Sequence, residues 1–281
     1  MTLRYKEAVL DKTSDFYSKL NIFCYGNLID GSYLPLTNKY AQIIMEDAVK
    51  KIKTDNRNRL QLSFSKFLSD RNSMRTDLIE SLIDNDTMQI VSIGLGFDLN
   101  PYIIKTKNKR TKWFVIESSE VLLYMENLML EEKPKFNLFN IDSNVNDEKL
   151  ITKLIDNGFN PNKKTLIIVD GIQSNIESIN KLSTFFNRLK NLKSDFEIVF
   201  DIPIIDPFKK DFEYIIEGLN AIGSEFKVFA HNAPDLLFGG LGFKINNRWL
   251  INNDNDNTGS VFSELLLIIQ QSNLFDLLRI N

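Results

Sequence analysis

From residue 89 onward the chain alternates strand-forming runs with helix-forming segments, and this alternation restricts the fold more than any other feature. The runs "QIVSI" (89–93), "KWFVI" (112–116), "FNLFN" (136–140), "TLIIV" (165–169) and "FEIVF" (196–200) are short and rich in β-branched or aromatic residues. Between them stand "SSEVLLYMENLMLEE" (118–132), "DEKLITKLIDNGF" (147–159) and "SINKLSTFFNRLKNL" (178–192), whose apolar residues recur at helical spacing. Strand–helix–strand repetition predicts an α/β fold with a parallel sheet covered on both faces. The nearly continuous apolar character of the strands agrees with that.

Before residue 89 the pattern is helical. "YAQIIMEDAVKKIK" (40–53) and "SFSKFLSDRNSMRTDLIESLI" (63–83) predict two helices after an N-terminal one, with "NIFCYGNLIDGSYLPL" (21–36) as an irregular loop between. Residues 1–88 are thus expected to form a helical cover and 89–281 the sheet domain. Beyond residue 210 the reading is coarser. "DFEYIIEGLNAIG" (211–223) is expected to be a helix, "GFKINNRW" (242–249) a strand, and "SELLLIIQQ" (263–271) strand or helix. "INNDNDNTGS" (251–260) has the polarity of a hairpin tip.

Composition removes several function classes. A formal charge of −3, from 34 basic and 37 acidic residues, gives no footprint for nucleic acid or an anionic membrane. The basic stretches at 105–110 and 163–164 read as solvated charges. One cysteine, Cys24, and one histidine, His231, leave no disulfide framework within the chain and almost no scope for a Cys/His structural zinc site, and no metal is expected. The N-terminus lacks the apolar core of a signal peptide, and no uncharged run reaches the ~18 residues of a membrane span. The expected setting is a reducing cytoplasm.

The ends of the predicted strands carry acids: Asp98 after Gly94 and Gly96, then Glu117, Asp142, Asp170 and Asp201. A single acid at such a place is commonly a turn former or helix cap. Five from consecutive parallel strands would line one crevice, at the edge where open α/β sheets bind ligands. Two glycines after a strand suggest a dinucleotide, but the third glycine of that fingerprint is replaced by Leu99, and no Gly-Lys-Ser/Thr phosphate loop exists. Asp98 in the turn would repel a pyrophosphate. It suits a ligand bearing a sulfonium and an amine. Glu117, about 20 residues beyond the glycines, is placed to accept ribose hydroxyls, and Asp142 could accept from an adenine amine. These demands point to S-adenosylmethionine.

The same residues resemble a known family. "MRTDLIESLI" followed by "QIVSIGLGFDLNPYII", with "FVIE", "NLFNID", "TLIIVDGI", "VFDIPIIDP" and "LGF" (241–243), is similar to the leucine carboxyl methyltransferases of the class I S-adenosylmethionine-dependent group, over roughly residues 70–245. The resemblance implies a Rossmann-like, seven-stranded, mostly parallel sheet with helices on both faces. It also implies that Arg75 pairs with the methionine carboxylate, that Gly94 and Gly96 let the backbone approach the cofactor, and that Glu117 holds the ribose. Ile141 and Asp142 would flank the adenine, and Asp170 would stand near the methionine amine. The chain departs from the family turn at Leu99-Asn100, where a Thr-Arg pair is usual, and its N-terminus follows no family pattern we can align.

Methyl transfer from a sulfonium needs alignment and a dry pocket more than acid–base help; the resemblance implies a carboxylate acceptor, which asks for no general base, with a hydroxyl of a small molecule as the alternative. His231 is the one candidate base for a hydroxyl, against the alternative of a structural histidine. The acceptor pocket is expected from Tyr17, Phe23, Tyr25 and Tyr33 on the N-terminal side and His231, Asn232 and Phe238 on the other. Cys24 reads as a small apolar residue. A methyltransferase-like regulatory protein without catalysis is the main alternative, and a nicotinamide-dependent oxidoreductase the weaker one.

Overall fold

The computed structural model describes residues 15–26, 28–29, 32–33, 39–51, 59–105, 108–172, 176, 178–192, 195–205, 234–252 and 262–271. Three helices come first: α1 (Asp15–Gly26), α2 (Lys39–Lys51) and α3 (Arg59–Leu82), with a small antiparallel pair, β1 (Leu28–Ile29) and β2 (Ser32–Tyr33), between α1 and α2. Contrary to the sequence reading, residues 21–26 are helical. Phe16, Leu20 and Cys24, at i, i+4 and i+8, are all buried, and that apolar stripe carries the helix past the expected end.

The sheet follows the alternation. β3 (Gln89–Ile93), β4 (Lys112–Glu117), β5 (Asn137–Asp142), β6 (Thr165–Val169) and β7 (Phe196–Ile205) are joined by α4 (Asn100–Ile103), α5 (Ser119–Leu128), α6 (Leu150–Asp156) and α7 (Ile179–Lys190). After α8 (Pro234–Gly240) come β8 (Phe243–Asn252) and β9 (Phe262–Gln271). The strand order is β5-β4-β3-β6-β7-β9-β8, parallel from β5 to β7, with β9 antiparallel to both neighbours. "SELLLIIQQ" is therefore a strand, and β8 and β9 pair as a hairpin across the polar segment, whose residues 253–260 lie outside the described residues, as does the expected helix at 211–223. Successive strands run outward from β3 to β5, and the chain then returns to place β6 on the other side of β3. The order reverses between β3 and β6, and the carboxyl end of β3 is the place where open α/β sheets bind ligands.

Alternate residues of the strands serve the two faces. Val91, Ile93, Phe114, Ile116, Ile167, Val169, Ile198 and Phe200 join one core with side chains of α6, α7 and α8; Ile90, Trp113, Leu166, Ile168 and Val199 join another with Ile79 of α3. Both faces are covered, as the unbroken apolar strands predict. The one hydroxyl within β3 is accounted for: Ser92 Oγ accepts the indole N–H of Trp113 at 3.0 Å. A third cluster joins α1 and α2 to the sheet domain through Phe16, Leu20, Ile44 and Met45 against Phe97, Tyr102 and Tyr124.

Phe186 of α7 is fully buried and meets the rings of Phe185, Phe200, Phe238 and Phe243 at centroid distances of 5.5, 5.2, 5.1 and 5.6 Å. Phe238 is accordingly a core residue with no exposed surface, which corrects its expected place in the acceptor pocket. Its position on α8 points it at the sheet. Phe186→Ala should cost about 3–5 kcal/mol of unfolding free energy, measured as a lower urea midpoint at an unchanged slope. A loss under about 1 kcal/mol would contradict a rigid aromatic cluster.

Candidate functional site

The site is built at the carboxyl ends of β3, β4 and β6. β3 runs into Gly94 and Gly96, which have φ of +76° and +63°, left-handed values that favour glycine. At Gly94 space demands it too: a Cβ would lie 2.7 Å from Ile172 Cγ2 and 2.9 Å from the Asp170 carbonyl oxygen. The turn ends on Asp98, whose Oδ1 accepts the Asn100 N–H at 3.0 Å and so opens α4. Asn100 Oδ1 in turn accepts the Thr76 hydroxyl at 3.1 Å, tying the turn to α3. Leu99, where a dinucleotide fingerprint would have its third glycine, is buried in the packing of the N-terminal helices.

Glu117 is the last residue of β4 and is 2% exposed. Its Oε1 accepts the Gly96 N–H at 3.0 Å and its Oε2 the Ser118 N–H at 2.9 Å. Lys19 of α1 reaches both oxygens with its Nζ, at 2.8 and 2.7 Å, and also pairs with Asp15 one turn earlier at 2.7 Å. Burial alone would lower the lysine's pKa, but the charges of Glu117 and Asp15 outweigh it and the ammonium is held above its usual range. Asp142 is level with Glu117 on β5 and faces solvent, its Oδ1 accepting the Ser119 N–H at 3.1 Å. Neighbouring Ile141 points the other way and is packed in the core.

On the other side of the glycine turn the acids are paired with arginines. Arg75 and Arg71, four residues apart on one face of α3, both contact the carboxylate of Asp170, just past the end of β6. Arg71 also reaches Asp201 Oδ2 at 3.2 Å. Asp201 does not stand after its strand, as the sequence reading has it. β7 continues to Ile205 because β9 pairs with it beyond the ends of the parallel strands. Since Phe200 is level with Val169, Asp201 still lies beside Asp170.

The structure thus brings together Arg75, Gly94, Gly96, Asp98, Glu117 and Asp170, with Asp142 at the edge. His231 and Asn232 lie outside the described residues; the backbones of Tyr17, Tyr25 and Tyr33 are described but not their side chains. Phe23 packs on Phe97 of the glycine turn at 6.0 Å between centroids. Cys24 is buried, its thiol pushed up to about 12 by desolvation, as suits an apolar filler. Two residues of the site escaped the sequence reading. Arg71 could have been found from its i, i+4 spacing to Arg75. Lys19 could not, since nothing local links it to a carboxylate 98 positions away. Among the described residues no group of three or more His, Cys, Asp or Glu side chains is placed to hold a metal ion, and no helix is long and apolar enough to cross a membrane.

Comparison with known proteins agrees with this fold. A family model described as leucine carboxyl methyltransferase matches residues 28–176, which is 149 of the 281 residues. No curated protein matches the sequence. Among solved structures, a methyltransferase candidate from Thermobifida fusca YX superposes with a TM-score of 0.62 at 10% identity, covering 96% of this chain and 99% of that one. A DUF574-family protein from Streptomyces avermitilis MA-4680 gives 0.57 at 10% identity over 90% and 96%. The mycolic acid cyclopropane synthase CmaA1, complexed with SAH and CTAB, gives 0.51 at 9% identity over 73% and 85%. These likenesses establish the fold, a class I methyltransferase sheet with helices on both faces.

Asp98 gives the site a measurable signature. It is 8% exposed, its Oδ2 has no hydrogen-bond partner among the described residues, and desolvation pushes its carboxyl up to about 6 against the pull of Arg75 and Asn100. An unfolded aspartate titrates near ~3.9. Between these values the folded protein holds a proton that the unfolded chain has released, so stability falls as pH rises through the window. Asp98→Asn should remove this component, worth roughly 1–3 kcal/mol at neutral pH. Urea unfolding of both proteins between about pH 4 and about pH 7 checks it; identical pH profiles would contradict a buried, proton-binding Asp98.

Proposed function

The chain belongs to the leucine carboxyl methyltransferase family, and from that premise we propose that it transfers the methyl group of S-adenosylmethionine to a carboxylate, or a hydroxyl, of a small-molecule acceptor. Family and fold make it an S-adenosylmethionine-dependent methyltransferase; the acceptor and the residue roles are the proposal. One observation carries it. The buried carboxylate of Glu117 stands beside the glycine turn at the point where strand order reverses, and an arginine–aspartate pair stands on the turn's other side.

The donor set fits the cofactor. A vicinal diol offers two O–H donors, and a glutamate held by two backbone N–H groups presents a fixed acceptor for them. Asp142, exposed on the next strand, is set to accept from the adenine amine. A zwitterionic methionine end needs a cation and an anion close together, which Arg75, Arg71 and Asp170 supply. At Gly94 a Cβ would strike Ile172 and the Asp170 carbonyl, so glycine there keeps the turn after β3 packed against the end of β6, with Asp170 beside it. Bound here, S-adenosylmethionine supplies an electrophilic methyl group that an acceptor oxygen displaces in line. The chain's own contribution is alignment and exclusion of water, with the cluster of Phe16, Phe97 and Tyr124 drying one side of the turn. A carboxylate acceptor is already a nucleophile at neutral pH and asks for no general base. His231 is the candidate base should the acceptor be a hydroxyl. We assign residues 1–88 the role of cover and 89–281 that of cofactor domain.

Calorimetric titration with S-adenosylhomocysteine should show micromolar binding by the full chain. Glu117→Ala should weaken it at least about tenfold, the effect of losing a charge-assisted hydrogen-bond pair. A wild-type protein that does not bind sinks the proposal. Methyl-labelled product from a small-molecule extract should release methanol in mild base if it is an ester; a base-stable product would turn the assignment to a hydroxyl acceptor.

A further inference from the structure

The carboxylate that should receive the ribose is already fully engaged. A carboxylate offers about four acceptor directions. In Glu117 the Gly96 and Ser118 N–H groups take one on each oxygen, and Lys19 Nζ contacts both oxygens again, at 2.8 and 2.7 Å. The lysine stem lies over the glycine turn as well: Cβ and Cγ of Lys19 are each 3.4 Å from where a Gly96 Cβ would sit. Two ribose hydroxyls cannot reach Glu117 until Lys19 withdraws.

We propose that α1 is a gate over the ribose subsite, closed in the free protein by Lys19 on Glu117 and opened when the lysine falls back on Asp15. This rests on the cofactor reading above and adds its regulation. The geometry supplies both states. Asp15, one helical turn before Lys19 and about half-exposed, already holds the ammonium at 2.7 Å, so withdrawal leaves the lysine paired. Glu117 keeps its two backbone donors when Lys19 leaves, so the acceptor stays oriented for the diol. The rest of α1 remains anchored through Phe16, whose ring meets Phe97 at 5.6 Å and Tyr124 at 5.2 Å between centroids. Opening therefore needs only the Lys19 side chain to change. The entering ligand competes with an internal cation for one carboxylate, and the closed form keeps the buried acid neutralised.

The test separates rates. Association and dissociation of S-adenosylhomocysteine are followed by surface plasmon resonance on the immobilised full chain. If the closed form holds about nine molecules in ten, Lys19→Met should speed association about tenfold. Asp15→Asn, at an exposed position that leaves the core untouched, removes the fall-back partner and should slow association several-fold; it keeps the proposal testable if Lys19→Met fails to fold. Association rates unchanged by both substitutions, or a Lys19→Met protein altered only by faster dissociation, would overturn the gate, leaving Lys19 a ligand contact. Absence of binding by every variant overturns the cofactor assignment, and the gate with it.

Discussion

The carboxylate of Glu117 is the point on which the site depends, because three segments distant in sequence are fixed through it. It closes β4, receives the N–H of Gly96 from the turn after β3, and holds Lys19 of α1. A buried charge of this kind is costly unless every acceptor direction is met. Meeting them sets the path of the glycine turn and draws the Lys19 side chain of the docked α1 onto the carboxylate. The left-handed conformations at Gly94 and Gly96 follow from the same demand, since the chain must turn sharply enough to aim an amide at a neighbouring strand.

Opposite Glu117 a second set of charges is balanced differently. Asp170 and Asp201 stand side by side on adjacent parallel strands, where two bare carboxylates would repel. Arg71 bridges them and Arg75 adds to Asp170, so α3 supplies two cations to two acids. Asp98 sits between these arrangements with one oxygen unmatched, and its raised pKa records that imbalance. The glycine turn is thus flanked by one carboxylate pinned by a movable lysine and another held by two arginines on a rigid helix. Such asymmetry suits a ligand that ends in a diol on one side and in an amino acid on the other.

How much of this could be read from the sequence depended on the range of each interaction. The parallel sheet was legible because strand and helix periods are local, and the position of Glu117 followed from the spacing of a strand end to the glycines before it. The overrun of β7 was not, since it is imposed by pairing with β9, whose partner residues lie 57 to 65 positions later. Asp201 therefore kept its neighbour but lost its expected place after a strand. Phe238 differs from its expected place for a similar reason: only the edge-to-face rings of Phe186 and Phe200, distant in sequence, show it to be core. The early end expected for α1 came from weighting Gly, Tyr and Asn above the apolar spacing of Phe16, Leu20 and Cys24.

Lys19 illustrates the deepest limit and also what it teaches about the fold. Its local surroundings, an acid four residues before it and an apolar stripe beside it, describe an ordinary amphipathic helix. Its role comes from the docking of that helix, which is driven by Phe16 and Leu20 entering a cluster formed by Phe97 and Tyr124. Hydrophobic contacts of this kind have no charge preference, so they place the helix without regard to what the lysine meets. Once the helix is placed, the lysine must find an anion or remain desolvated at a cost, and Glu117 is within its reach. The apolar contact fixes where α1 lies, while the ion pair decides whether the subsite beneath it is open, and the two can change independently because different side chains of the same helix turn carry them.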